Sequence, residues 1–188
     1  MKINSRKYKN KYRIPSARLK NWDYGSNAAY FVTICTKQRK HFFGEIVDEK
    51  MQLNALGEIA EREWIKSVAL RPDMNLELGE FTVMPNHFHG IMIIGKNDYN
   101  MGYCRDAMHC VSTTATINQF GPQSKNLSSI LRGYKSAVTT QANKMGHVNF
   151  AWQPRFYDII IRNAESFERI QNYIFDNPSN WKGDKFYS

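Results

Sequence analysis

LELGEFTVM at 76–84 and HFHGIMII at 87–94, joined by Pro85-Asn86, decide the fold. Both runs are apolar and β-prone, and Pro-Asn is a tight-turn signal, so the pair reads as an antiparallel hairpin. Upstream, residues 29–36 (AYFVTICT) form a β-branched and aromatic run that predicts a buried strand. A smaller hairpin is expected over 42–47 and 51–53, turning at Asp48-Glu49-Lys50. Asn54 then caps a helix running to about Leu70, with Leu56, Ile59, Ala60 and Ile65 near helical spacing. Arg71-Pro72-Asp73 stops it.

Downstream, residues 96–125 are polar and aperiodic, which predicts a long loop. Asn126 caps a second helix, whose stripe is Leu127, Ile130, Leu131, Tyr134, Ala137, Val138 and Gln141. A strand is expected over 152–161, weakened at its start by Pro154. Asn163 caps a third helix, with Phe167, Ile170 and Ile174 inward and Pro178 ending it. The order β-β-α-β-β-loop-α-β-α implies an α+β fold, with helices packed on an antiparallel sheet. A ferredoxin-like or RRM-like core is its natural form. The chain's 188 residues suit a single domain, 1–188, with appendages at 1–20 and 96–125.

Composition excludes several classes. Apolar residues make up 42% and charged residues 23%, so disorder and collagen are poor fits. The longest apolar stretches, such as 90–95, are too short to span a bilayer. The first six residues carry charge but start no apolar segment, so no secretory signal is expected. Cys35, Cys104 and Cys110 lack framework spacing and read as reduced thiols in a cytoplasmic protein. A zinc site on Cys104, His109 and Cys110, with Cys35 as fourth ligand, matches no usual finger spacing.

The net charge is +9, and its distribution is lopsided. Residues 1–20 hold eight basic residues and no acid, leaving 18 basic against 17 acidic elsewhere. Such an arm, with Tyr8 and Tyr12 interleaved, either binds a polyanion or is a solvated tail.

The sharpest chemical feature is His87-Phe88-His89. Histidines at i and i+2 of a strand project from one face, about 6.5–7 Å apart at Cα. Both rings can converge on one divalent cation, or they can simply sit on a polar sheet face. Tyr173 is the second feature, in Tyr173-Ile174-Phe175-Asp176-Asn177-Pro178. On a helix, Tyr173 and Asn177 share a face and Asp176 lies near it. A tyrosine there is either a nucleophile beside a metal or packing beside the Ile170 and Ile174 stripe.

The ordered set of these segments resembles the REP-associated tyrosine transposases, single-tyrosine HUH enzymes. It comprises residues 30–36, Val83 through Gly90, Trp152-Gln153, Phe156-Tyr157-Asp158, residues 160–163, Tyr173-Ile174 and Asn177-Pro178. The resemblance implies an HUH core in which His87, His89 and a polar residue on the tyrosine helix hold one Mg2+ or Mn2+ ion. Asn177 matches the third-ligand position, with Asp176 as the alternative. It implies a single-stranded DNA endonuclease and strand transferase that cuts next to hairpins through a 5′-phosphotyrosine at Tyr173. Arg6, Lys7, Lys9, Lys11 and Arg13 of the arm are candidates for backbone contacts. So are Arg132, Lys135, Arg155 and Arg162, each also readable as a solvated surface charge. Within catalysis, the alternative is a replication-initiator-like nickase. From another class, it is a non-catalytic single-strand-binding module with an RRM-like sheet. Members of this kind work as monomers or as homodimers, and the 143–150 segment permits either.

Overall fold

Strict two-residue alternation along two neighbouring strands divides the molecule into a broad core and a narrow site. The computed structural model describes Leu19, residues 22–101 and residues 124–187. The elements are β1 (Ala28–Cys35), β2 (Gly44–Val47), β3 (Lys50–Leu53), α1 (Ala55–Ala69), β4 (Leu76–Met84) and β5 (His87–Ile94), followed by α2 (Leu127–Lys144), β6 (Tyr157–Ile161) and α3 (Ala164–Phe175). The sheet order is β4-β5-β1-β6, antiparallel throughout. Each of α1 and α2 carries the chain past one intervening strand, so two βαβ units interleave. That is the split ferredoxin-like arrangement, with β2-β3 as a separate hairpin and α3 added at the end.

Tyr30, Val32 and Ile34 of β1 and Phe88, Met92 and Ile94 of β5 face the main core, with Leu56, Trp64, Ile130, Tyr134 and Val138 from α1 and α2. Trp64 is the hub: its ring lies 4.6 Å from Phe88 and 5.5 Å from Tyr134, in tilted and edge-on geometries that aromatic quadrupoles favour. The alternate residues Phe31 and Ile91, with Ile161 of β6, meet Ile170 and Ile174 of α3 on the opposite face.

Local chemistry explains most element boundaries. Asn54 accepts from the backbone N–H groups of Leu56 and Gly57, Asn126 forms a capping box with Ser129, and Asn163 accepts from Ser166. Asp48 and Glu49 take positive φ at the β2-β3 turn, which suits the twist of a two-residue hairpin.

The last strand corrects the sequence expectation. It begins at Tyr157 rather than Trp152. Trp152 makes an isolated bridge to Thr36, and its indole donates to the Lys135 carbonyl. Pro154 has no N–H to continue a ladder. The segment before it is anchored, because Phe150 is buried against Phe42, Phe43 and Trp152. Of the polar stretch at 96–125, Asn97 and Asn100 are buried and hold backbone carbonyls of Met74, Gly95 and Gly25. Most of that stretch, and almost all of the basic arm, lie outside the described residues. Among the described residues, no helix is long and apolar enough to cross a membrane.

Candidate active site

β5 puts Phe88 into the core and turns His87 and His89 to the other face, where both are fully buried. Each imidazole is held by its inner nitrogen. His89 Nδ1 lies 2.8 Å from the Thr33 hydroxyl on the neighbouring strand. His87 Nδ1 lies 2.8 Å from Asn86 Oδ1. Asn86 Nδ2 donates to the Phe186 carbonyl at 2.9 Å, which fixes the amide with its oxygen toward His87. An amide oxygen only accepts, so His87 Nδ1 carries the proton and Nε2 keeps its lone pair. That Nε2 is buried with no hydrogen-bond partner among the described residues. Burial, above all, lowers the His87 pKa to about 4, with Arg39 and Lys185 adding to it; the Asp184 charge and the neighbouring Asn177 side chain oppose. His89 is held well below its ordinary range by burial, then by His87 and Lys185. Both rings are therefore neutral near pH 7, the form in which imidazole ligates metals.

α3 delivers the tyrosine. Its Ile170-Ile174 stripe is buried, so Tyr173 sits at the margin with its ring edge-on to Phe31 at 6.0 Å. The Tyr173 oxygen lies 3.4 Å from His89 Nε2. One turn on, Asn177 is buried, as helical spacing predicts. Its Nδ2 donates to Asp184 Oδ2 at 2.7 Å, while its Oδ1 has no partner among the described residues.

Asp184 is the residue the sequence reading missed. It follows the 3-10 turn Trp181–Gly183. The tail then crosses the histidines, and the Phe186 ring lies 4.8 Å from His87 and 5.7 Å from His89. Asp184 Oδ1 accepts from the Phe186 N–H at 2.5 Å, and Oδ2 accepts from Tyr173 at 3.2 Å. One ligand atom each from His87, His89 and Asp184 lie within 4.8 Å of one another, so the three form a group that could hold a metal ion. The alternative third ligand, Asp176, is exposed. It borders the cleft of about 440 Å3 that Tyr173, Asn177 and Asp184 also line. Two imidazoles, an orphaned amide oxygen and a carboxylate are the donor set of a small divalent cation.

Burial raises the Tyr173 pKa to about 12, with the Asp184 charge and hydrogen bond adding to it and Asn177 opposing. Arg39 donates to the Lys185 carbonyl at 3.0 Å, and both Arg39 and Lys185 lie over the Phe186 ring. Neither cation carries a signal in the sequence.

The other basic residues are dispersed. Lys135 is half-buried, with its ammonium 2.6 Å from the Gln153 carbonyl, so it braces the segment before β6. Arg132 is exposed on α2, across the sheet from α3. Arg155 precedes β6 at the histidine end, and Arg162 follows it at the other. Arg6, Lys7, Lys9, Lys11, Arg13, Cys104, His109 and Cys110 lie outside the described residues.

No protein-family model matches the chain. An uncharacterised protein of Haemophilus influenzae is 36% identical over 172 residues, covering 92% of each chain. The chain belongs to the family of that protein. Among solved structures, a REP-associated tyrosine transposase bound to a REP hairpin matches with a TM-score of 0.55. The identity is 19%, over 90% of this chain and 77% of the other. The fold resembles that of the REP-associated tyrosine transposases, α+β with helices on an antiparallel sheet.

Proposed function

We propose that this protein is a metal-dependent single-stranded DNA endonuclease and strand transferase, a transposase that cuts beside DNA hairpins and acts as one catalytic domain. The observation that carries this reading is the approach of the Tyr173 oxygen to His89 Nε2 at 3.4 Å, beside two orphaned buried atoms, His87 Nε2 and Asn177 Oδ1. His87, His89 and Asn177 would hold the ion, with Asp184 as a further oxygen donor. A bound Mg2+ or Mn2+ supplies Lewis-acid polarisation of the scissile phosphodiester.

The residues of the chain do the rest. Tyr173 is the nucleophile, held on a capped helix at the edge of the apolar contact. Its oxygen attacks phosphorus, the bond to the 3′-oxygen breaks, and a 5′-phosphotyrosine forms. Asp184 Oδ2, 3.2 Å from the phenol oxygen, takes its proton, and the departing 3′-oxygen takes one from solvent. Bond energy is conserved in the phosphotyrosine, so a second 3′-hydroxyl reseals the strand by the reverse displacement. Phe186 and Trp181 exclude water from the histidines. Arg39 and Lys185 supply positive charge at the mouth. The arm at 1–20 and the cations around the sheet would position the strand's backbone.

The binding-module alternative needs an open sheet face for bases. Here α3 and the tail cover the part that carries the histidines, which favours the nuclease. The test is a denaturing gel of labelled hairpin oligonucleotides incubated with protein and Mn2+ or Mg2+. A metal-dependent covalent adduct that vanishes in Tyr173→Phe is expected. Hairpin binding with neither cut nor adduct in both metals sinks the proposal.

A further inference from the structure

α3 packs chiefly against β4 and β5 and also buries Phe31 of β1 and Ile161 of β6, which leaves the first half of β6 open on the same face. Two large side chains stand there at alternate positions of the edge strand, Tyr157 at 58% exposure and Ile159 at 54%. Their neighbours Phe156 and Ile160 point the other way and pack on the main core. A solvated edge strand ordinarily carries charge or proline at such positions. This one carries a tyrosine and an isoleucine.

The row runs straight into the site. Tyr157 pairs with Thr33, and Thr33 pairs with His89. Two strand spacings put Tyr157 about 10 Å from His89, roughly three stacked nucleotides. The Tyr157 ring also lies 6.4 Å from Phe186, which covers both histidines. Cations border the row. Arg155 and Arg162 bracket β6, Lys185 lies over Phe186, and Arg169 sits one helical turn before Tyr173, with Glu165 as the acid one turn further back. An apolar and aromatic floor with a basic border is the composition that binds single-stranded nucleic acid.

We propose that Tyr157 and Ile159 form a stacking platform for unpaired bases of the DNA strand flanking the scissile phosphate. The proposal rests on the nuclease reading above and adds a positioning surface to it. Tyr157 stacks a base, Ile159 packs on its neighbour, and Arg169 meets the intervening phosphate. The platform sets which phosphate reaches Tyr173.

The test is equilibrium binding in a Tyr173→Phe background, where no cleavage intrudes. Two oligonucleotides are compared, a hairpin alone and the same hairpin with single-stranded flanks carrying 2-aminopurine. Tyr157→Leu is expected to weaken the flanked oligonucleotide about tenfold, within what one stacked base contributes. It should leave the bare hairpin unchanged, and it should relieve 2-aminopurine quenching. Tyr157→Phe keeps the ring and should bind like the parent. Arg169→Gln is expected to cost about threefold on the flanked form and to flatten its salt dependence. Equal affinity of Tyr157→Leu and parent for the flanked oligonucleotide overturns the proposal. So does an equal loss on both oligonucleotides, or sedimentation showing that a second copy covers β6. An unmutated enzyme that forms no adduct fails the nuclease reading instead, and the flank comparison is read independently of it.

Discussion

The Tyr173 hydroxyl donates to Asp184 Oδ2 across 3.2 Å, joining the last turn of α3 to the C-terminal tail. The same carboxylate oxygen accepts from Asn177 at 2.7 Å. One atom therefore fixes the position of the proposed nucleophile and of a candidate metal ligand. Its negative charge also opposes ionisation of the phenol it holds.

That opposition gives the first prediction. Burial is the largest cause of the Tyr173 pKa of about 12, and Asp184 adds to it by charge and hydrogen bond. Asp184→Asn removes the charge and keeps the shape. The phenol should then titrate lower, moving toward the ordinary value of about 10 without reaching it, because burial remains. NMR titration with 13Cζ-labelled tyrosine in EDTA, assigned with Tyr173→Phe, reads the shift. An unmoved resonance would remove Asp184 from the electrostatics of Tyr173.

The histidine strand was legible because its information is local. Alternation set the faces of the two histidines and Phe88, and Pro85-Asn86 the turn before them, whereas a bulge between Leu78 and Phe81 shifts the phase of 76–84 so that Leu76 and Leu78 face the main core with Phe81 and Val83. Asn54, Asn126 and Asn163 announced three helices through chemistry that acts over three residues. The Tyr173-Asn177 relation followed from one helical turn. Asp184 was not legible, because a tail fold-back joins it to histidines nearly a hundred residues earlier. The start of β6 was misread for a similar reason. Trp152 looks like strand, yet its place is set by Lys135 and by the aromatic cluster around Phe150.

Gly90 shows how tightly the core backs the site. A Cβ there would meet the Phe88 ring at 2.8 Å and Trp64 Cζ2 at 2.9 Å. Both rings are fully buried and cannot swing away. Gly90→Ala should destabilise by about 1–3 kcal/mol, the usual cost of overpacking. A fall in Tm is expected in differential scanning calorimetry. An unchanged Tm would show that the aromatic cluster yields more than its packing implies.

Cys35 pairs with His87 in the sheet, and burial pushes its thiol up to about 11, Asp184 adding slightly while Arg39 and Lys185 oppose. The thiolate is the reactive form, so the sign is toward inertness at every pH below that value. At pH 8 roughly one molecule in a thousand carries it. Iodoacetamide should therefore leave Cys35 unmodified in the folded protein and alkylate it in guanidinium. Mass spectrometry of the Cys35 peptide reads both states. Rapid labelling of the native protein would mean that β1 opens beside the site.

Metal linkage tests the donor set without any DNA. An ion that binds the folded state stabilises it by mass action, about 2.7 kcal/mol at a hundred times Kd. For a chain of this size, that corresponds to a rise of roughly 5–10 °C in Tm. Mn2+ should produce such a rise in the parent protein and little in His87→Ala, which removes the Nε2 lone pair and puts no donor in its place. Asn177→Ala tests the third position. Its amide oxygen is buried and has no partner among the described residues, and its Nδ2, which donates to Asp184 Oδ2, is lost with it, so Asp184→Ala is the companion variant. Affinity for Mn2+ should fall about tenfold in Asn177→Ala, the lower end of what supporting groups contribute at metal sites. Isothermal titration calorimetry measures it directly. Equal affinity in Asn177→Ala, with a loss in Asp184→Ala, would assign the third position to the tail. The ligand set would then depend on residues 184–187 staying folded over the histidines.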